Sequence, residues 1–171
     1  MLGTVSSSAI PDTHLAAWRA VLNAQTSVVA HAEDALAAAE LPPLAWYDVL
    51  WAIRRAPARR VRMAELAASL TISRGGLTKL ADRLENGGLI RREPADTDGR
   101  GFYAVLTPDG NALLRRMWPV YSRALRQTFV AAISNEEAAL IAAALSHVDE
   151  APREHAGSAR KSATSPLPRR G

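Results

Sequence analysis

The sequence predicts a mostly α-helical fold in which a helix-turn-helix unit is followed by a two-stranded β-hairpin. The 171-residue chain is 48% apolar but only 5% aromatic, and its many Ala, Leu and Arg residues favour helices. Apolar residues recur at steps of three and four over most of the length. Only Leu89–Glu93 and Phe102–Leu106 have the composition of strands, and a polar loop rich in turn formers joins them.

The N-terminal part of the chain predicts two helices. An apolar stripe over residues 12–39 marks a long helix, with Asp12 as its N-cap. Pro42 and Pro43 end this helix. The following run, residues 44–55, is apolar nearly all round, which predicts a helix buried on several sides.

Two short helical patterns come next, separated by residues 71–73. Ala67 on the first and Leu77 and Leu80 on the second are suited to close a helix-turn-helix pair. In such a pair the second helix enters the major groove of DNA, with its N-terminal residues toward the base edges. Followed by a basic hairpin, this order predicts a winged DNA-binding segment over residues 54–106.

The candidate DNA contacts follow from this geometry. The start of the second helix can bind a phosphate through its backbone, and the fork of Arg74 matches the edge of guanine. An arginine at a loop tip suits a narrow minor groove, which selects Arg100, with Asp98 bracing it. The complete predicted set is Ser73, Arg74, Gly75, Thr78, Lys79, Arg83, Arg91, Arg92, Asp98 and Arg100.

The distribution of charge supports a polyanionic partner. Residues 54–103 carry eleven Lys and Arg against six Asp and Glu, whereas residues 1–53 carry one Arg against five acids. A nucleic acid is therefore attracted to the middle of the chain. Taken singly, each of these charges has an alternative explanation as solvated surface. We expect residues 1–11 to be flexible and the basic tail, residues 152–171, to be disordered.

Several other classes of protein are disfavoured. The chain has no cysteine, which removes disulfides, thiol redox chemistry and thiolate metal sites. Its four histidines are scattered, and no nucleophile elbow, phosphate-binding glycine loop or zinc-binding helix motif is present. No stretch reaches the roughly 18 to 20 apolar residues that span a bilayer. The sequence therefore predicts a cytoplasmic protein without cofactor, metal, membrane partner or enzymatic activity.

The segment that begins at Leu70, LTISRGGLTKLADRLENGGLIRREPADTDGRGFYAVLTPDGNALL, resembles the recognition helix, wing and following helix of one family. This is the multiple antibiotic resistance regulator (MarR) family of bacterial transcription factors. Its wing pattern, an Asp and an Arg separated by one residue, corresponds to Asp98 and Arg100. The flanking helices fit the family order, so the resemblance covers one domain over residues 12–151.

The resemblance implies a homodimer in which the helices over residues 12–39 and 107–151 interlock. Its two recognition helices then fit a pseudo-palindromic operator on double-stranded DNA, with half-sites about one turn, roughly 10 bp, apart. Such a regulator, most often a repressor, lies in the bacterial cytoplasm and on the nucleoid when bound to DNA. The alternative is a winged-helix module for protein interaction, which should lack basic residues on the recognition helix and wing.

Members of this family often release DNA when a small phenolic or anionic effector binds between the dimerisation and DNA-binding regions. Aromatic walls with one polar group suit such a ligand. Six residues on the first two helices are candidates for this pocket, although ordinary core packing is the alternative explanation for them: Trp18, His31, Trp46, Tyr47, Asp48 and Trp51.

Overall fold

Helices account for most of the chain, as the composition predicts. The structure is a computed structural model that describes residues 10–70, 74–95 and 101–150, without the side chains of residues 74, 149 and 150. The predicted tail and most of the predicted flexible N-terminus lie outside these residues. In chain order the elements are α1 (Asp12–Ala38), α2 (Leu44–Arg55), a 3-10 turn (Pro57–Arg59), β1 (Arg60–Arg62), α3 (Met63–Ser69), α4 (Arg74–Asn86), β2 (Ile90–Pro94), β3 (Phe102–Leu106), α5 (Pro108–Leu125), a π-helical segment (Arg126–Val130) and α6 (Asn135–Glu150).

The start of α1 differs from the prediction by one residue. Pro11, and not Asp12, occupies the N-cap position, because the Pro11 carbonyl oxygen accepts the first hydrogen bonds of the helix. Asp12 lies in the first turn, where its charge favours the helix dipole. Near the other end of α1, Glu33 Oε1 accepts a hydrogen bond of 3.0 Å from the backbone N–H of Leu44. One helix thus supplies the cap of the next.

The core lies where α1, α2, α3, α4 and α5 pack around the small sheet. Complete burial of a Leu or Ile side chain stabilises a fold by about 1.5–3 kcal/mol relative to exposure. The burial of side chains from all these helices and from β2 therefore fixes α4 to the rest of the fold. The largest fully buried side chains are Leu36, Val49, Leu50, Ile53, Leu66, Leu77, Leu84, Ile90, Leu114 and Met117.

The sheet has three antiparallel strands in the order β1-β3-β2. The hairpin of β2 and β3 confirms the prediction, although β2 begins at Ile90, opposite Leu106, and not at Leu89. The third strand, β1, was not predicted. It pairs with the other edge of β3, with Arg62 opposite Tyr103. Three residues are too few for a pattern of alternation to be recognised.

Hydrogen bonds join the start of α5 to the residues just before β2. Thr107 is the N-cap of α5, and its Oγ1 accepts a hydrogen bond of 3.1 Å from the backbone N–H of Gly110. The same hydroxyl donates to the carbonyl oxygen of Gly88 at 2.7 Å, and it lies 2.9 Å from the carbonyl oxygen of Leu89. A Cβ atom at Gly110 would overlap that carbonyl oxygen. Glycine is therefore required at this close approach of two backbones.

The chain forms two compact units that divide between Ala132 and Ile133. In the second unit, α6 begins with a capping box: Glu137 N–H donates to Ser134 Oγ at 3.2 Å, and Ser134 N–H donates to Glu137 Oε2 at 2.9 Å. Several apolar side chains of α6 are exposed, Leu140 at 71% and Val148 at 68% among them. The domain boundaries inferred from the sequence remain predictions.

Candidate nucleic-acid interface

The two faces of α4 differ in character. Its buried face consists of four apolar residues spaced at three and four, Leu77, Leu80, Ala81 and Leu84. This spacing fixes one side of the helix to the core. Three predicted contact residues, Thr78, Lys79 and Arg83, are exposed. The amphipathic pattern of α4 therefore directs basic side chains to solvent.

The N-terminus of α4 allows close approach of another molecule. The helix begins at Arg74, and a Cβ atom at Gly75 would meet nothing within 4 Å. Packing among the described residues therefore does not require glycine at this position, whereas a backbone that binds a phosphate benefits from it. Four of the predicted contacts lie outside the described residues: Ser73, the Arg74 side chain, Asp98 and Arg100.

The hairpin stem carries two arginines that are paired within the chain. Arg91 Nη2 lies 2.7 Å from Glu93 Oε1 on the same strand. Arg92 Nη2 lies 2.6 Å from Asp82 Oδ1, and its Nη1 lies 3.2 Å from Glu85 Oε2. The two acids that contact Arg92, Asp82 and Glu85, belong to α4. Arg92 therefore connects the hairpin to α4, a role that the sequence analysis missed.

Tyr103 on β3 lies beside two arginines of β1. The guanidinium carbons of Arg60 and Arg62 are 4.4 Å and 5.4 Å from the centre of the Tyr103 ring. Arg62 Nε also donates to the Tyr103 hydroxyl at 3.3 Å. These contacts could not be predicted from the sequence, because β1 was not predicted. Their only sequence signal is the group of five arginines between residues 54 and 62.

A cluster of aromatic rings lies between α2 and α5. The Tyr47 ring is nearly parallel to those of Trp51 and Trp118, at centroid distances of 6.0 Å and 6.3 Å. Tyr121 contacts Tyr47 edge-on at 5.2 Å. A cavity of about 460 Å³ adjoins this cluster, and its lining combines aromatic walls with two guanidinium groups: Tyr47, Trp51, Arg54, Leu114, Arg115 and Trp118.

Tyr47 and Trp51 are the two predicted effector residues that line this cavity. Asp48 lines a second cavity, of about 330 Å³, formed by α1, α2 and the end of α3. Of the lining residues described for the two cavities, none is Trp18, His31 or Trp46. Trp18 is exposed, Trp46 packs against the core, and His31 Nε2 lies 3.3 Å from Gln127 Oε1.

The lining residues that come from α5 were not predicted from the sequence. Leu114, Arg115 and Trp118 follow α2 by about sixty residues, so only the packing of α5 on α2 brings them together. Their one sequence signal is spacing. Leu114 and Trp118 are four residues apart, which places them on one face of a helix.

Loss of solvation affects three ionisable groups near the two cavities. Burial raises the pKa of the Tyr47 hydroxyl, and Tyr121 raises it further. Burial also raises the pKa of Tyr121. Both phenols are therefore neutral at pH 7 and available as hydrogen-bond donors. Asp48 lies at the surface, yet partial desolvation raises the pKa of its carboxyl, and the charge of Glu33 adds to this effect.

The described part of the chain also bears on metal binding and on membrane crossing. No group of three His, Asp or Glu residues there lies close enough to hold a metal ion. No single helix within the same residues is long and apolar enough to cross a membrane; only the helices over 108–130 and 135–148, taken together, meet the criteria of length and composition.

The chain is similar to known proteins in both sequence and fold. A profile of the MarR family matches residues 40–101. Sco3205, a MarR family transcriptional regulator from Streptomyces coelicolor whose crystal structure is in complex with DNA, is 30% identical, with a TM-score of 0.77 over 90% of this chain and 97% of that one. A mutant of MarR from E. coli complexed with operator DNA is 25% identical, with a TM-score of 0.68 over 82% and 99%.

Curated relatives agree over a shorter segment. The transcriptional repressor MprA of Escherichia coli (strain K12) is 34% identical over 77 residues, which are 45% of this chain and 44% of that protein. The chain spans about half the length of the first curated relatives it matches. The likeness to the Sco3205 structure, by contrast, extends over nearly the whole of both chains. The chain belongs to the MarR family of DNA-binding transcriptional regulators.

Proposed function

We propose that this protein binds a pseudo-palindromic operator as a homodimer and represses transcription until a small phenolic or anionic molecule releases it. The observation that carries the proposal is α4, which buries four apolar residues and exposes Lys79 and Arg83 beside the hairpin. Sco3205 in complex with DNA and the repressor MprA support it by likeness. The site of action is the bacterial cytoplasm, on the nucleoid.

The contacts to DNA divide into two groups. In the major groove, Arg74 contacts a base edge, while Thr78, Lys79 and Arg83 contact bases or phosphates along α4. The start of the helix, Ser73 and Gly75, holds a phosphate through the backbone. In the minor groove, Arg100 inserts at the hairpin tip with Asp98 orienting it, and Arg91 meets the backbone of the DNA.

The proposal of a dimer rests on apolar residues that the single chain leaves exposed. On α1, Trp18 and Leu22 are exposed, and on α6 so are Leu140, Leu145 and Val148. Exposed apolar side chains that recur along these two helices mark an interaction surface. A two-fold dimer buries the same patch on both subunits and matches the symmetry of a palindrome.

The proposal of an effector rests on the cavity between α2 and α5. A volume of about 460 Å³ suits a small aromatic molecule. Trp51 and Trp118 offer flat walls for stacking, and the guanidinium groups of Arg54 and Arg115 can pair with a carboxylate. Arg54 already lies 5.5 Å from the centre of the Trp51 ring, so an anion stacked there meets a positive charge.

Selection of binding sites from a random DNA library tests the DNA-binding part. We expect one enriched motif with two inverted half-sites about 10 bp apart. Arg74→Ala should weaken binding to this motif by about 1–3 kcal/mol and relax one base position in each half-site. A library without enrichment would refute sequence-specific binding and favour the protein-interaction module. Normal binding by Arg74→Ala would refute base readout by that residue.

Quenching of tryptophan fluorescence by 4-hydroxybenzoate, a planar phenolic anion, tests the effector part. Trp51 and Trp118 line the cavity, so binding should quench them and release bound operator. Arg115→Gln should weaken quenching about tenfold or more, because it removes a charge-assisted hydrogen bond to the carboxylate. The control is Arg116→Gln, since Arg116 is exposed and absent from the described lining. Equal effects of the two variants would contradict the proposed pocket.

A further inference from the structure

Arg92 is the centre of a cluster of three charged residues, here called the brace, which it forms with Asp82 and Glu85. Its two terminal nitrogens contact different acids, Nη2 with Asp82 at 2.6 Å and Nη1 with Glu85 at 3.2 Å. Only 24% of the Arg92 side chain is exposed. The two acids are three residues apart on α4 and therefore lie on one face of that helix.

The backbone of Arg92 is held to the same helix. Its N–H donates a hydrogen bond of 3.0 Å to Glu85 Oε1, while Glu85 Oε2 contacts the guanidinium group. Because β2 is an edge strand, some of its N–H groups face away from the sheet, and that of Arg92 is satisfied by α4. Three contacts thus fix one residue of the hairpin stem to the helix.

Within β2 only the first residue is buried, although the partner strand β3 carries buried Ala104 and Val105. Ile90 is buried at 2% exposure. From Arg91 to Pro94, however, every residue of β2 is exposed or half-buried. The charged contacts of the brace therefore act along the part of β2 whose own side chains are not buried.

The charges of the brace make it unsuited to hold a phosphate. One guanidinium group faces two carboxylates, so the cluster carries a net negative charge. Turning Arg92 toward DNA would leave Asp82 and Glu85 without their cation beside a polyanion, which is unfavourable. The guanidinium group is therefore more favourably placed between the two carboxylates than against a phosphate.

From this geometry we infer that Arg92 is a positioning residue, which holds the hairpin at a fixed angle to α4 so that both elements fit one DNA site. This role replaces the DNA contact that the sequence predicted for Arg92. That Arg92 raises the selectivity for operator is an inference that rests on the proposed function. That Arg92 limits the motion of the hairpin does not depend on it.

The two roles predict different effects on the preference for operator when the acids are removed. If Arg92 contacts phosphate, Asp82→Asn with Glu85→Gln frees the cation and removes negative charge, so binding to every DNA becomes tighter. If Arg92 positions the hairpin, random DNA still binds more tightly, but the preference for operator falls by about fivefold. Glu93→Gln is the control, because it removes an acid from the same stem without touching the brace.

A second readout needs no DNA. Because the chain has no cysteine, a dye on Phe102→Cys, an exposed position opposite Pro94, is unique in each subunit. Time-resolved fluorescence anisotropy of this dye reports the nanosecond motion of the stem. We expect the amplitude of that motion to rise about twofold in the Asp82→Asn, Glu85→Gln variant. It should stay unchanged in Glu93→Gln, and circular dichroism establishes that all variants are folded.

The combined result decides between the roles. A more mobile stem together with a lost preference for operator supports positioning by Arg92. An unchanged stem, or tighter binding to operator and random DNA alike, overturns it. If the native protein shows no operator preference, the proposed function fails, and the anisotropy of the dye alone then upholds or refutes the brace. Arg92→Lys keeps the charge but loses the fork, so it should leave binding to random DNA unchanged and lower the preference for operator.

Discussion

The two helices α4 and α6 are of similar length but use their apolar residues in opposite ways. In α4 all four residues of the apolar stripe are buried, and the exposed face is polar. In α6 the apolar side chains are exposed, Leu140 and Val148 by more than two thirds. The apolar stripe of α4 is buried within one chain, whereas α6 leaves apolar side chains exposed.

This difference assigns the two helices to different kinds of partner. A helix whose apolar stripe is already buried can offer only polar and charged groups to a further partner, which suits DNA. A helix with an exposed apolar stripe gains stability by covering it, which suits a second copy of the chain. The comparison predicts that substitutions on α4 and α6 affect different measurements.

The largest expected effect is in the core face of α4. Leu84→Ala should lower the free energy of unfolding by about 2–5 kcal/mol, because it leaves a cavity under a fully buried side chain. Urea denaturation at one fixed protein concentration measures this. The control is Lys79→Ala on the exposed face, with an expected change within about 0.5 kcal/mol. Equal effects of the two substitutions would break the comparison.

The next effect concerns the exposed stripe of α6. Leu140→Asp combined with Val148→Asp should raise the dimer dissociation constant about a hundredfold, or about 2.7 kcal/mol, because charges replace apolar contacts. Sedimentation equilibrium gives the constant, and circular dichroism reports whether the helix persists. Glu136→Gln in the first turn of α6 is the control. A double variant that dimerises as tightly as the native chain contradicts the role given to α6.

A smaller effect is expected at the capping box, which completes the N-terminus of α6 without a partner. Ser134→Ala removes the acceptor for the Glu137 N–H and should cost about 0.5–2 kcal/mol. Amide hydrogen exchange in the first turn of α6 measures the loss. Ser146→Ala serves as the comparison, because that hydroxyl donates only to the Ala143 carbonyl within the helix. Similar exchange in both variants would show that the cap contributes nothing.

The smallest effect concerns α2, a largely buried helix that carries one poorly solvated acid. Folding raises the pKa of Asp48, first through desolvation and then through Glu33. The folded state therefore holds this proton more tightly than the unfolded state, and stability falls as pH rises through the window between the two pKa values. Asp48→Asn should be the more stable protein at pH 7. Its advantage should shrink as pH falls through that window; an advantage independent of pH contradicts this account.

Most of the fold was predictable because it depends on local signals. The apolar spacing of α4, the Thr107 cap and the Ser134 capping box each lie within a few residues, so the sequence contains them directly. Strand β1 was missed because three residues show no period, and its partner β3 lies about forty residues away. Nonlocal contacts of this kind are not encoded in spacing.

The candidate site was predictable in composition but not in pairing. Sequence reasoning selected Arg92 as basic and close to the recognition helix, but it contained no signal that two acids of α4 already hold this side chain. The cavity shows the same limit. Tyr47 and Trp51 were predicted from α2, whereas Arg115 and Trp118 depend on how α5 packs against it.

The central claim is that the exposed face of α4 binds a specific DNA sequence. Its most direct test is a salt series of binding to the intergenic DNA beside the protein's own gene, with random DNA as competitor and Lys79→Ala in parallel. We expect a lasting preference for the intergenic DNA, affinity that falls linearly with the logarithm of salt, and a slope smaller by about 1 for Lys79→Ala. Weak binding without regard to sequence, with the same slope for both proteins, would contradict the claim.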